Sequence, residues 1–211
     1  MSGPCKASIG AIAPYAAWMA MMLALPPTSV CYAIRTFACL ALLVFLSVRW
    51  YGTPRADSRS LAWGLAAGLT VLAVWVFPER WEWYRRFCTI GDGGTVEIDG
   101  SAAYLKAIRL FGSAFVIAPA EELFFRSFLY RWIRDRNWTS VPLREFDMGA
   151  FLWSTALFAL EHDRILVGAI AGAIYALVAI RVNLAAAIVA HATTNLALGV
   201  YVLASGNWTF W

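Results

Sequence analysis

Charge is scarce in this chain. Asp, Glu, Lys and Arg make up 14% of its 211 residues, against roughly 25% in ordinary soluble domains. The net charge of +4 is modest, and the basic residues cluster in short loops, so no nucleic-acid partner is expected. Histidine is scarcer still. The two that exist, His162 and His191, belong to no H-E-x-x-H, so a zincin-type helical metal site is excluded. The four cysteines, Cys5, Cys31, Cys39 and Cys88, form no C-x-x-C pair and no zinc-like spacing. Three of them lie in or beside the first two apolar blocks and read as small packing residues. Internal repeats and symmetric pairs of broken apolar segments are also missing, which weighs against a transporter or proton-coupled carrier.

What the chain has is apolar sequence. Hydrophobic residues reach 61%, where about 45–50% is usual, and the mean hydropathy is +0.64. The excess falls in blocks long enough to span lipid. Their spacing predicts an all-α, polytopic membrane helical bundle of about seven transmembrane helices, at 9–25, 30–50, 61–77, 104–133, 149–160, 165–180 and 184–204. The length leaves room for one membrane-embedded domain, 1–211. Eleven tryptophans and eight tyrosines suit interfacial belts. The first block reads as a helix that stays in the membrane rather than a cleaved signal, because no clear cleavage site precedes Pro26-Pro27. Arg35, near the start of the second block, is expected to snorkel to the interface. The basic loops 49–59 and 131–144 are expected in the cytosol, which puts the N-terminus there and the polar loop 78–101 outside. That loop opens on aromatic anchors and carries a short extended piece at Thr95–Asp99. The fifth block is short, so it is expected to stop inside the membrane and leave Glu161–Arg164 beside a wet cavity.

The fourth block carries the chemistry. Glu121, Glu122 and Arg126 lie within six residues in the middle of an apolar segment. A charge at the bilayer centre costs about 2.5–3.5 kcal/mol on insertion scales, so three such groups point to use rather than accident. Helical geometry separates the two carboxylates. Glu122 and Arg126 stand four apart on one face and form an internal ion pair. Glu121 is turned away from Arg126 and left free to act as a base toward water. The competing view, a purely structural charge cluster, is weakened because burying charge for stability gains little.

Both histidines stand in clusters with helical spacing. Phe158 and His162 are four apart, as are His191 and Asn195. A lone histidine in a membrane helix is often only a satisfied hydrogen bond, but here a third helix supplies carboxylates. His191 and Asn195 suit two donors aimed at one oxygen, and His162 suits a water shared with Glu121. One Glu and two His would also hold zinc with a water, though the spacing does not support it. Ser127 and Ser154 lack a base on their own helical face, so a serine nucleophile is disfavoured.

Glu121-Glu122-x-x-x-Arg126, then Phe158-x-x-x-His162, then His191-x-x-x-Asn195, together resemble the three-motif signature of the type II CAAX prenyl endopeptidase and bacteriocin-processing (CPBP or Abi) family. The order matches, and the motifs stand on separate helices within 104–204. Length and motif placement are also similar to the bacterial exosortase-associated subgroup. The resemblance implies an intramembrane glutamate protease that needs neither metal nor cofactor. In it Glu121 activates water, His162 helps hold that water, His191 and Asn195 stabilise the oxyanion, and Glu122, Arg126 and Phe158 support them. It further implies a protein or peptide substrate in the lipid bilayer, a functional link to an exosortase-type sorting system, and a place in the bacterial inner membrane. The rival expectation is a non-catalytic peptide-binding, immunity or assembly factor using the same cavity.

Overall fold

In the computed structural model, residues 3–47, 56–84 and 102–210 are described. The loop positions Arg49, Arg55 and Cys88 and the extended piece expected at Thr95–Asp99 lie outside them. Helix α1 spans Gly3–Ala24, α2 spans Ser29–Ser47, and α3 spans Ser58–Val76 with a 3-10 extension at Phe77–Arg80. Helix α4 is a continuous rod over 103–134. It is built from Ala103–Gly112, a π segment Ser113–Ile117, Ala118–Glu122, a second π segment Leu123–Leu129, and Tyr130–Arg134. Then follow α5 (Met148–Ala159), α6 (Ile165–Arg181), α7 (Leu184–Ser205) and a 3-10 turn at Trp208–Phe210. Among the described residues there is no strand.

Four of these helices, α1, α2, α3 and α7, are long and apolar enough to cross a membrane, and α5 and α6 are shorter apolar helices. With α4 they match the seven expected apolar blocks within three residues at each described end, except that α1 begins six residues earlier. The protein is an all-α integral membrane bundle. Its outer surface is apolar, with Leu23, Phe45, Trp63 and Leu69 exposed, as lipid rather than water requires. Helix α5, at 12 residues, is about 18 Å long. That is well short of a hydrocarbon core of about 30 Å, so the turn after it falls within the bundle.

Local chemistry sets the helix ends. Asp57, Asp147 and Asn183 each accept from a backbone N–H three residues on and so cap α3, α5 and α7, which satisfies donors the first turn leaves free. The Asp57 carboxylate also accepts from the Ser60 hydroxyl, and these bonds hold it below the usual carboxylate range. Helix α7 ends at Gly206, whose φ of 68° favours a residue without a Cβ.

Arg35 departs from the expectation. It is buried, at 4% exposure, with its guanidinium near the Trp18 and Tyr32 rings at 5.4 and 5.5 Å. Aromatic rings from α1 and α2 enclose the cation where snorkelling to the interface was anticipated.

Helices α3 and α7 approach most closely through Gly64 and Gly68. A Cβ on Gly68 would stand 2.5 Å from the Ala190 carbonyl oxygen, and one on Gly64 would stand 2.5 Å from a Val189 methyl. This is the small-x-x-x-small contact by which membrane helices bring their backbones together. The Gly68 carbonyl also accepts from the Thr194 hydroxyl at 2.9 Å. Gly68→Val should therefore lower stability by about 1–3 kcal/mol, the usual cost of overpacking. Thermal unfolding in detergent should show it, with Gly206→Ala, where nothing lies within 4 Å, as a comparison limited to backbone strain.

Candidate active site

The two π segments of α4 flank the Glu-Glu pair. In the first, the Ala118 N–H reaches back five residues to the Ser113 carbonyl. Pro119 follows and has no N–H to donate. In the second, the Tyr130 N–H reaches the Phe125 carbonyl. Single π turns inside α-helices are frequent at functional sites. Here they bracket the only two carboxylates of α4.

Glu122 is fully buried. Its Oε1 lies 3.2 Å from Arg126 Nη1 and 2.9 Å from His191 Nδ1, so the anticipated ion pair forms and also takes in a histidine from α7. Arg126, 3% exposed, donates through Nη2 to the Gly172 carbonyl at 3.1 Å. Its guanidinium lies 4.2 Å from the Phe158 ring centroid, a favourable cation–π contact. Carboxylates only accept, so His191 Nδ1 carries the proton of that bond. Its Nε2 is thereby turned toward Glu121, 3.7 Å from Oε2. That Glu121 oxygen is buried and has no hydrogen-bond partner among the described residues. The Tyr175 ring stacks on His191 at 4.6 Å, and its hydroxyl bonds the Thr194 hydroxyl at 2.7 Å, which fixes the imidazole plane.

His162 lies in the turn after α5. Its Nδ1 bonds the Phe158 carbonyl at 2.8 Å. A carbonyl only accepts, so the proton sits on Nδ1 and Nε2 is an acceptor in the neutral ring. Its ring contacts Trp75 and Phe158. Asn195 donates to the Ser113 carbonyl at 2.9 Å, the same oxygen that the first π turn uses. One of its two amide hydrogens is committed there and the other is left over.

Glu121, His162, His191 and Asn195 line one cavity of about 260 Å³, together with Ser113 and Glu161. That is room for several waters at about 30 Å³ each. Phe158 also lines it, while Glu122 and Arg126 lie behind its wall. The seven residues singled out from the sequence are thus gathered in one place. Sequence reasoning set Glu161–Arg164 beside a wet cavity without giving Glu161 or Arg164 a role, and left out Tyr175. Glu161 accepts a hydrogen bond from Tyr15 of α1, Tyr175 backs His191, and Arg164 closes the rim. Arg164 pairs with Glu79 at 2.5 Å, donates to the Thr209 carbonyl at 3.1 Å, and lies 4.7 Å from the Phe210 ring. No sequence signal pointed to Tyr175, which stands in an otherwise apolar stretch of α6.

A polar, carboxylate- and histidine-lined cavity inside an apolar bundle defines a membrane protein with an enzyme-like centre. Residues 103–197, from the first residue of α4 well into α7, match the family model described as type II CAAX prenyl endopeptidase Rce1-like. This is the family the three motifs resemble. The match covers 95 of the 211 residues. Helices α1–α3 precede the matched segment. No curated protein and no solved structure matches the chain.

The buried triad gives a stability prediction. Arg126→Leu leaves Glu122 uncompensated and should cost about 3–5 kcal/mol. Adding Glu122→Gln should recover part of that loss, so the two changes will not be additive. Thermal unfolding of the single and double variants in lipid checks this.

Proposed function

We propose that the chain is an intramembrane endopeptidase that cleaves the tails of membrane-associated or lipidated proteins with water activated by Glu121, without a metal or cofactor. The observation that carries the reading is the convergence of Glu121, His162, His191 and Asn195, from α4, the α5–α6 turn and α7, on one cavity.

Water held between Glu121 Oε2 and the acceptor Nε2 of His162 loses a proton to Glu121 as its oxygen attacks the scissile carbonyl carbon. The carbonyl becomes a tetrahedral oxyanion. The second amide N–H of Asn195 is one donor to it. His191 is the other where Nε2 already holds a solvent-derived proton before the attack, because its Nδ1 proton is committed to Glu122, and the Nε2 proton stays on the ring through the cycle. The Glu122 carboxylate, 2.9 Å away, stabilises such an imidazolium as the carboxylate of a catalytic triad does. The C–N bond then breaks, and the leaving amine takes the proton from Glu121. Glu122 and Arg126 stand behind the cavity wall and act by orienting His191, while Phe158 lines the cavity and its carbonyl orients His162.

The arginines of the α4–α5 loop support a cytosolic position for that loop and for the N-terminus by the positive-inside rule. The reading takes the membrane to be a bacterial inner membrane, and on that topology the rim formed by Arg164, Glu79 and Phe210 faces the side away from the cytosol.

Glu121→Gln should lower cleavage of a tail-peptide library in lipid by about 10²–10⁴-fold with no change in thermal unfolding. Asn195→Ala should lower kcat by about 10²–10³-fold. If Glu121→Gln cleaves like wild type, the catalytic reading is wrong. If it also retains the phenotype in the host, the non-catalytic peptide-binding reading replaces it.

A further inference from the structure

A second cavity, of about 290 Å³, lies at the opposite end of the bundle from the Arg164 rim, where α4 ends and α7 begins. It is lined by Ser127, Arg131, Leu143, Arg144, Asn183 and Leu184. Its charged groups are all of one sign. Arg131 donates through Nε and Nη2 to the Ser127 carbonyl and hydroxyl and through Nη1 to the Val141 carbonyl at 3.5 Å. Its guanidinium lies 4.5 Å from the Trp138 ring. Arg144 donates through Nη2 to the Val182 carbonyl at 3.1 Å. All of these partners are neutral.

Other arginines of the bundle are accounted for differently. Arg134 pairs with Glu145 at 2.8 Å, while Arg126 and Arg164 have Glu122 and Glu79. Arg136 lies on the Trp132 ring at 3.7 Å. Among the described residues, no carboxylate pairs with Arg131 or Arg144. Each guanidinium has five N–H donors, of which Arg131 uses three and Arg144 one. The first turn of the 22-residue helix α7 opens at the same cavity and adds the positive end of its dipole. Leu143, Ala179 and Leu184 make the rest of the wall apolar.

We propose that this pocket binds a phosphate group, with the two guanidiniums as its bidentate clamp. Two uncompensated arginines beside an apolar wall, at the end of the bundle that the basic loop assigns to the cytosolic leaflet, fit the headgroup of an anionic phospholipid with its glycerol against the leucines. A soluble phosphate compound presents the same anion. The proposal stands apart from the protease reading, because none of its residues lines the Glu121 cavity.

The test uses the full chain in nanodiscs of phosphatidylcholine alone or mixed with phosphatidylglycerol, with native mass spectrometry of retained lipid and thermal unfolding. Wild type should retain phosphatidylglycerol over phosphatidylcholine by about tenfold relative to the bulk mixture, because arginines near an anionic headgroup favour it. Arg144→Gln, an exposed side chain with one backbone bond, should abolish that preference, and Arg134→Gln should leave it intact. If instead millimolar inorganic phosphate raises the unfolding temperature of wild type, but not of Arg144→Gln, in phosphatidylcholine alone, the site takes a soluble phosphate. Enrichment that Arg144→Gln does not reduce, or no response to either probe, overturns the proposal.

Discussion

The fully buried carboxylate of Glu122 is the constraint on which the centre depends. It meets a guanidinium from its own helix and an imidazole from α7 at the same oxygen. Such a cluster contributes little net stability, because the gain in Coulomb energy is offset by taking the charges out of water. What it provides is direction. With Nδ1 of His191 committed to Glu122, the other ring nitrogen has to face Glu121. With Arg126 committed to Glu122 and to the Gly172 carbonyl, Phe158 has a cation to pack against. The Phe158 carbonyl then sets the tautomer of His162. One buried charge thus orders groups on four segments of the chain.

Around this centre the bundle reverses the usual arrangement of a soluble protein. Its outer face is leucine, phenylalanine and tryptophan, and its polar groups turn inward. The helices manage the inversion in different ways. α3 and α7 close against each other through glycine, leaving no space between backbones. α4 widens into π turns on either side of its carboxylates, which changes the direction of the side chains beyond each turn. α5 stops early, so a turn with Glu161 and His162 falls where a longer helix would have filled the space. Close contact on one side and interruption on the other leave room for water beside Glu121.

Much of this was legible in the sequence for one physical reason: lipid penalises charge, so the apolar blocks mark the helices and any charge inside them stands out. The Glu122–Arg126 contact follows from i, i+4 spacing alone. The convergence of the three motifs came from their resemblance to a family signature, to which the match over 103–197 belongs. The features that were missed depend on contacts between distant segments. The partner of Glu161 is Tyr15, 146 residues away. Arg35 is enclosed by the Trp18 ring, which lies on another helix. The π turns have no residue pattern that spacing rules detect, and the direction of each histidine ring depends on which acceptor lies beside Nδ1. The Gly64 and Gly68 pair was not singled out, because only the position of α7 gives it a partner.

Arg164 ties together three parts of the chain that are remote in sequence: the 3-10 extension of α3, the turn in which it sits, and the turn that follows α7. A single side chain is therefore a mechanical junction. None of the three segments can move away from the cavity mouth without breaking a bond to the same guanidinium, so on this side the rim yields as a unit or not at all.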